Sequence, residues 1–436
     1  MLDIKWIRSH PDSVQEAARV KGMEFDVNEL LQWDEARRAR LQEADTLRQA
    51  RNEASARIAA CLRDGRRDEA ETLKASVREM NETLERLERE LGEAEREFRR
   101  CMLLVPNLPA ADSPVGASDA DNVELRRVGE QPRFAFEPLD HVELGERHGL
   151  IDTERGVKVA GSRSYYLRQA GVLLHRAVQQ LALDLLADRG FTLLDVPILA
   201  REEALIGTGF FPLGEEQTYA LPEDGLWLVG TSEVSLAAYY SGEIVDVGEP
   251  IRLAGASSCF RREVGSAGRD VRGLYRVHQF AKVEQVVLTR SDPAESNRML
   301  EEMVAHAEDI LHALELPYRV MDVCTGDMSQ KTYKQYDIET WMPGRAAYGE
   351  THSASNLLDF QARRLQIRYR DEDGALQYCH TLNNTAVASP RILIPLLENH
   401  QQADGAVRIP EALRPYMRGM DRIQIRALTQ GLSHRH

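Results

Sequence analysis

Residues 260–284 read FRREVGSAGRDVRGLYRVHQFAKVE, an arginine-rich stretch in a 436-residue chain whose formal net charge is −15. The two ends are suited to strands, and the glycine-containing middle, GSAGRDVRGLY, is suited to a loop. The stretch therefore predicts strand, loop and strand, with the two strands paired as a hairpin. The concentration of cations in an acidic chain indicates that this hairpin holds an anion.

The predicted strands place particular side chains together, because alternate residues on a strand share a face. Arg276, Phe280 and Glu284 would point the same way, as would Arg261 and Glu263. Guanidinium groups match phosphate oxygens, an aromatic ring can stack on a base, and carboxylates accept hydrogen bonds from amino groups or hold a metal. Taken alone, the stretch fits an exposed hairpin with salt bridges equally well.

The composition excludes several classes of protein. A hydrophobic fraction of 43% over 436 residues supports a large core and two or three domains. No apolar run approaches the roughly 20 residues of a membrane helix, so we expect a cytosolic protein without a membrane partner. The acidic balance disfavours binding to DNA. Neither disulfides nor a thiolate metal site is expected, because no CxxC pair occurs among Cys61, Cys101, Cys259, Cys324 and Cys379.

Residues 28–105 contain no proline and are rich in Ala, Glu, Arg and Leu. In the second half, apolar residues recur at spacings of four and three, at Leu73, Val77, Met80, Leu84, Leu87, Leu91, Ala94 and Phe98. The first half approximates such a seam at Leu41, Ala44, Leu47, Ala54 and Ile58. A break near Gly65 predicts two long antiparallel helices that cover each other's seams.

The charges of this helical hairpin nearly cancel, with 16 basic and 18 acidic residues over 28–105. Arginines nevertheless cluster on the first helix and at the turn, namely Arg37, Arg38, Arg40, Arg48, Arg51, Arg57, Arg63, Arg66 and Arg67. Periodicity alone favours a dimerisation coiled coil, whereas the arginines favour a basic stripe that meets a polyanion.

A proline-rich segment after the hairpin reads as a linker, which we place at 106–125. Beyond it, helical and strand periodicities alternate. Helices are predicted at 175–190, 296–315 and 391–401, and strands at 191–199, 276–288, 365–371 and 375–382. This pattern predicts an α+β domain built on a mainly antiparallel sheet.

Two later segments carry further candidate residues. The phosphate-binding loops GxxxxGK[ST] and GxGxxG are missing, so side chains would have to supply the charge for any nucleotide. TLNNTAVASPRILIPLLEN, residues 381–399, has a polar strand end and then Arg391 near the start of a helix. YGETHSASN, residues 348–356, offers Glu350 and Ser353 at a spacing suited to hydrated magnesium.

The order of these segments resembles that of the three signature motifs of class II aminoacyl-tRNA synthetases, and in detail the chain resembles the bacterial-type seryl-tRNA synthetase family. The resemblance spans essentially the whole chain. It rests on LDIKWIR, the helical hairpin, GSRSYYL, GTGFFP, GTSEVSL, FRREVGSAGRDVRGLYRVHQFAKVE, ETHSASN, FQARR and TLNNTAVASPRILIPLLENHQ. It implies a catalytic domain over 126–436, with an antiparallel sheet flanked by helices, and an N-terminal tRNA-binding domain over 1–105 with the hairpin as its arm.

The resemblance also implies ligands and site residues. ATP would contact Arg261, Arg262, Glu263, Arg276, Val277, Phe280, Glu350, Thr351, His352, Ser353 and Arg391, of which Arg261, Arg276, Glu350 and Arg391 would be catalytic. L-serine would contact Thr231, Ser232, Glu233, Arg261, Glu284, Asn383 and Thr385. Magnesium would be held by Glu350 and Ser353.

The implied activity is ATP-dependent formation of seryl-adenylate and transfer to tRNA(Ser), with tRNA(Sec) as a further acceptor, by a homodimer. The alternatives are an amino acid–carrier-protein ligase, an inactive binding protein, and a duplicated synthetase copy that serves antibiotic resistance or biosynthesis. The last stays open because the chain differs from residues common in the family at five positions, Ser232, Arg262, Val264, Gly349 and Ala354.

Overall fold

The computed structural model describes residues 1–265 and 272–424. The chain divides into two compact units. One consists of Asp3–Arg19 and Met23–Pro106, and the other of Met1–Leu2, Val20–Gly22 and Asn107–His436. Among the described residues, no helix combines the length and the apolarity needed to cross a bilayer.

The first unit is helical. Its helices are α1 (Ile4–Ser9), α2 (Pro11–Val20), α3 (Val27–Arg63) and α4 (Arg67–Leu104). Asp26 caps α3, since its side chain accepts from the backbone N–H of Asn28 at 2.8 Å. Gly65 lies in the turn between α3 and α4 with a φ of 79°, a conformation that favours glycine. The predicted antiparallel helical hairpin with a break at Gly65 is confirmed.

The predicted seam of α4 lies between the two long helices. Leu84, Leu87, Leu91 and Ala94 are buried, and Leu84 and Leu87 pack with Ala44 of α3. The predicted seam of α3 is only partly right, because Leu41 is 41% exposed. The irregular spacing of the apolar residues in α3 leaves Leu41 on the solvent side of the helix.

The second unit contains an eight-stranded sheet. The strands of the chain are β1 (Val123–Val128), β2 (Ile151–Asp152), β3 (Tyr166–Leu167), β4 (Thr192–Leu194), β5 (Leu199–Arg201), β6 (Tyr219–Leu221), β7 (Leu226–Leu228), β8 (Ile251–Phe260), β9 (Gln279–Thr289), β10 (Tyr318–Asp322), β11 (Lys334–Met342), β12 (Ala347–Asn356), β13 (Arg368–Arg370), β14 (Leu376–Tyr378), β15 (His380–Ser389), β16 (Val407–Arg408) and β17 (Arg422–Ile423). The sheet has the order β1-β10-β11-β12-β15-β9-β8-β4. Within the described part of this sheet, only the β4–β8 pair is parallel, so the predicted antiparallel α+β architecture is confirmed.

Helices cover both faces of this sheet. They are α5 (His141–Arg147), α6 (Thr153–Ala160), α7 (Ala170–Asp188), α8 (Glu202–Gly207), α9 (Glu233–Ala237), α10 (Pro293–Ala313), α11 (Phe360–Leu365) and α12 (Leu393–Asn399). Val283 and Val287 of β9 pack in one apolar cluster with α7 and α10. Val286 and Leu288 pack in a second cluster with α9 and α11. Glu284 shares the second face, because alternate residues of a strand point the same way.

The two ends of the arginine-rich stretch belong to paired strands, as predicted, but these strands end earlier than expected, and residues 266–271 of the predicted loop lie outside the described residues. β8 and β9 pair from Ile251↔Leu288 to Phe260↔Gln279. Arg261, Glu263 and Arg276 therefore lie in the connection and not on the strands. Glu263 has a φ of 53°, which no strand residue adopts. The predicted strand at 191–199 is also wrong in part, since it forms the two short strands β4 and β5.

The hairpin seam yields a stability prediction. Replacing Leu87, which is 4% exposed, by Ala should lower the free energy of unfolding of the arm by about 2–4 kcal/mol through the cavity left behind. The matched variant Leu41→Ala removes the same atoms from an exposed site and should cost less than about 1 kcal/mol. Urea unfolding of the full chain, followed by circular dichroism at 222 nm, measures both. Equal losses would contradict the observed packing of the arm.

Candidate active site

A cavity of about 330 Å³ opens in the second unit beside β9, β12 and β15. Thirteen of the sequence-predicted site residues line it: Thr231, Glu233, Arg261, Glu263, Val277, Phe280, Glu284, Glu350, Thr351, Ser353, Asn383, Thr385 and Arg391. These residues come from segments up to 160 positions apart, since the first is Thr231 and the last is Arg391. The fold therefore brings most of the predicted ATP-binding and serine-binding residues to one cavity.

Four predicted residues are not part of the cavity wall. Ser232 is fully buried, with its hydroxyl 3.0 Å from the Ser257 hydroxyl. The Arg262 side chain is exposed. Arg276 does not line the cavity itself, but it lies 3.6 Å from the carboxylate of Glu263, which does.

His352 is the fourth of these residues, and both nitrogen atoms of its ring are hydrogen-bonded within the core. Its Nε2 donates to the carbonyl oxygen of Ala386 at 3.1 Å, so Nδ1 accepts from the Thr351 hydroxyl at 2.9 Å. Burial lowers the pKa of His352 to about 4. The structure therefore gives this imidazole a structural position, where it is neutral near pH 7, and leaves it no contact with the cavity.

Glu284 brings a buried carboxylate to the cavity wall. Its side chain is 1% exposed, and burial raises its pKa. Lys282 Nζ lies 2.7 Å from Glu284 Oε2, so the two side chains form a buried ion pair. Register places Thr385 of β15 directly opposite Glu284. A ligand that donates a hydrogen bond here would meet a carboxylate and a hydroxyl side by side.

Glu233 is the second buried carboxylate of the cavity, and its Oε1 atom accepts hydrogen bonds from three side chains. Lys331 Nζ lies at 2.6 Å, Gln361 Nε2 at 2.7 Å and Asn383 Nδ2 at 3.2 Å. Burial lowers the pKa of Lys331, and the carboxylate of Glu233 opposes that shift. Among the described residues, Oε2 receives no donor, so it is the atom left for a ligand.

Arginines and aromatic rings form another part of the wall. The Arg261 guanidinium lies 5.2 Å from the centre of the Phe280 ring, and its Nε donates to the carbonyl of Gly230 at 3.3 Å. Arg391 lies 4.6 Å from the Tyr275 ring centre and 3.8 Å from the carboxylate of Glu350. Two fixed cations and two flat rings suit a ligand with both phosphate and base.

Comparison with known proteins identifies the family. The model of the seryl-tRNA synthetase N-terminal domain matches residues 1–109, and the class II core domain shared by the Gly, His, Pro, Ser and Thr synthetases matches residues 219–400. A serine–tRNA ligase of Deinococcus radiodurans is 50% identical over 97% of this chain and 98% of its own. This chain belongs to the seryl-tRNA synthetase family. A serine–tRNA ligase of Rubrobacter xylanophilus is 47% identical over 96% of this chain and 98% of its own.

Solved structures of seryl-tRNA synthetases resemble the whole chain. The enzyme of Pyrococcus horikoshii, crystallised with ATP, matches with a TM-score of 0.87 and 38% identity, over 97% of this chain and 99% of its own. The cytoplasmic enzyme of Naegleria fowleri, in complex with AMP, matches with a TM-score of 0.81 and 30% identity, over 96% of each chain. The predicted family and the predicted fold class are thereby confirmed.

The seryl-tRNA synthetase resemblance implies magnesium, and the residues present fit that ion. Glu350 and Ser353 both line the cavity from β12, and Ser353 faces Asp337 of β11. Burial, and after it the nearby Glu350 carboxylate, raise the pKa of Asp337 to about 8, and a bound cation would oppose this shift. Oxygen donors of this kind suit Mg²⁺. No three His, Cys, Asp or Glu side chains of the described residues form a metal site, so phosphate oxygens and water would complete the shell.

Sequence reasoning missed two lysines of this seryl-tRNA synthetase cavity. Lys282 lies two residues before Glu284 on β9, so strand periodicity already placed it on the same face. No local sequence pattern indicated that Lys331 lies at the cavity, because it precedes β11 in an irregular segment. It contacts Glu233, which is 98 positions away in the sequence. A pairing of this kind is fixed by the tertiary fold alone.

Proposed function

We propose that this cavity activates L-serine with ATP and that the chain transfers the seryl group to tRNA(Ser). The observation that carries the proposal is the pair of buried carboxylates, Glu233 and Glu284, in one cavity with Arg261 and Arg391. The acidic part suits the ammonium and hydroxyl groups of serine, and the arginines suit phosphates.

ATP would bind where the arginines and the aromatic rings meet. Arg261 and Arg276 hold its phosphates, and Glu263 accepts from the adenine amino group. Phe280 and Arg391 stack on the two faces of adenine. Arg276 is 3.6 Å from Glu263, so the two residues also orient each other.

Magnesium would be held by Glu350 and Ser353 together with phosphate oxygens. When bound, it neutralises charge that develops on the phosphates. The protein itself supplies orientation, because the Arg391 side chain is fixed by a 3.1 Å hydrogen bond from its Nε to the carbonyl oxygen of Tyr275.

The chemistry needs no protein nucleophile. A carboxylate oxygen of serine attacks the α-phosphorus, the bond from that phosphorus to the pyrophosphate oxygen breaks, and seryl-adenylate remains. A terminal ribose hydroxyl of the tRNA then attacks the carbonyl carbon, and AMP leaves with the bonding electron pair. The cavity contributes mainly by holding the reactants in line and by offsetting charge on the transferred group.

Selection of serine would rest on hydrogen bonds that other amino acids cannot complete. Glu284 is a buried carboxylate of the cavity wall, ion-paired with Lys282, and Thr385 lies opposite it. The serine hydroxyl would donate to this carboxylate, whereas alanine would bury it against a methyl group that cannot donate. A buried acceptor left without its ligand donor gives strong discrimination.

The helical arm would bind the tRNA through a subset of its arginines. Six of the nine clustered arginines are within ion-pair distance of an acidic side chain: Arg37, Arg38, Arg40, Arg48, Arg57 and Arg66. Among the described residues, Arg51, Arg63 and Arg67 have no carboxylate within 4.0 Å. Cations that are not neutralised by a neighbouring carboxylate are the best suited to phosphates.

The chain would act as a cytosolic homodimer. Apolar side chains on α6 and β3 are unusually exposed, with Val157 at 49%, Val159 at 70% and Tyr166 at 46%. A second copy would cover such a surface, since monomeric proteins rarely leave clustered apolar groups in water.

Removing the Glu284 carboxylate tests the serine site. Glu284→Ala should reduce serine-dependent ATP–pyrophosphate exchange at least 1,000-fold, while the affinity for tRNA(Ser) stays within twofold, because the arm carries that contact. Glu339→Ala is the matched control, since Glu339 pairs with Arg319 outside the cavity and should retain exchange. Parallel loss of exchange and tRNA binding in Glu284→Ala would contradict the division of labour.

Two triple variants test the arm. Arg51, Arg63 and Arg67 changed together to Ala should weaken tRNA(Ser) binding about 10- to 100-fold and reduce the slope of log Kd against log salt by about 2, with serine activation unchanged. The control triple of Arg40, Arg48 and Arg66 removes the same charge from ion-paired positions and should leave the salt slope nearly unaltered. Filter binding at several salt concentrations decides between them. The assignment fails if the control triple loses more of the slope.

A further inference from the structure

Lys331 stands out because it is a buried cation that the reaction described above does not use. Its side chain is 11% exposed, and its Nζ lies 2.6 Å from Glu233 Oε1. The same ammonium lies 3.8 Å from the centre of the Phe210 ring and 3.3 Å from the carbonyl oxygen of Thr208. Burying a cation is costly without such partners, so this position is a defined site and not a chance surface contact.

The segment that carries Lys331 is held rigidly. Lys21 Nζ donates to the carbonyl oxygens of Ser329, Gln330 and Thr332 at 3.1, 3.2 and 2.5 Å. Asn107 Nδ2 donates to the carbonyl oxygen of Lys331 itself at 3.0 Å. All four carbonyl groups of residues 329–332 therefore have a donor. The backbone fixes where the Lys331 ammonium can lie, which a positioning residue requires.

The contacts of Lys331 determine which oxygen of Glu233 is free. Lys331 donates to Oε1, as do Gln361 and Asn383. The Gln361 amide is itself oriented, since its Oε1 accepts from the Thr381 hydroxyl at 2.8 Å. Three donors on one oxygen hold the carboxylate in a single orientation and leave Oε2 for the substrate.

Lys331 also balances the charge of the cavity. Glu233 and Glu284 bring two negative charges, and Lys331 and Lys282 bring two positive ones at 2.6 and 2.7 Å. An amino acid arrives as a neutral zwitterion, so a balanced set accepts it without leaving a net buried charge. Without Lys331, the surplus anion would favour a bound cation or proton over the zwitterion.

We propose that Lys331 is a positioning residue for serine, which acts through Glu233 by fixing the carboxylate and balancing its charge. This inference rests on the proposed role of Glu233 in serine binding. Lys331 would contribute to the KM for serine and not to ATP binding, because its contacts are with Glu233, Thr208 and Phe210 and not with the arginines.

Steady-state ATP–pyrophosphate exchange on the full chain tests the proposal. Lys331→Met should raise the KM for serine at least tenfold, with kcat and the KM for ATP within twofold of the wild type. In a double-mutant cycle, Glu233→Gln combined with Lys331→Met should be no worse than Glu233→Gln alone, because the lysine would act only through the carboxylate. Lys331→Arg, which keeps the cation, should recover most of the lost affinity.

Lys334→Met is the matched control. Lys334 is 10% exposed and ion-paired with Asp112 at 2.6 Å, but it does not line the cavity, so the variant should keep the KM for serine. If Lys331→Met does not fold, as judged by its melting curve, Lys331→Gln replaces it in the cycle. An unchanged KM, or losses that multiply in the double variant, would overturn the inference. A wild type without serine-dependent exchange would instead overturn the proposed function.

Discussion

Strand β9 is paired with β8 on one side and with β15 on the other, and these two registers determine the active cavity. They set Glu284 opposite Gly255 in β8 and Thr385 in β15. Position 255 requires glycine, since a Cβ there would lie 2.9 Å from the carbonyl oxygen of Leu194 in the adjacent strand β4. A shift of one residue would turn Glu284 into the apolar cluster of α7 and α10.

The central sheet also explains how a site with several charged side chains can be stable although it is buried. Glu233 and Glu284 each have a lysine within 2.7 Å, and Glu233 gains two amide donors as well. Such pairing offsets the cost of removing charges from water. The two carboxylates differ in their surroundings, because Glu284 has one ion-pair partner, Lys282, whereas Glu233 has a lysine and two amides. Glu284 therefore has more capacity to accept a hydrogen bond from a ligand.

Local patterns predicted the elements of this fold well. The heptad-like spacing on α4 placed Leu84 and Leu87 on a buried seam, and strand alternation placed Phe280 and Glu284 on one face. Boundaries were harder to predict. Arg261, Glu263 and Arg276 were expected on strands, but the hairpin opens at Phe260 and Gln279. The Lys331–Glu233 contact and the core position of His352 depend on segments far apart in sequence, so no local pattern could reveal them.

The central claim is that the cavity selects and activates serine. Its most direct test is ATP–pyrophosphate exchange by the purified chain, without tRNA, against serine, threonine, alanine, glycine and cysteine. We expect exchange with serine alone, because only serine would both fit the available space and donate a hydroxyl hydrogen bond to the buried Glu284 carboxylate. Exchange with alanine or glycine at a comparable rate, or no exchange with serine, would contradict this account of the site.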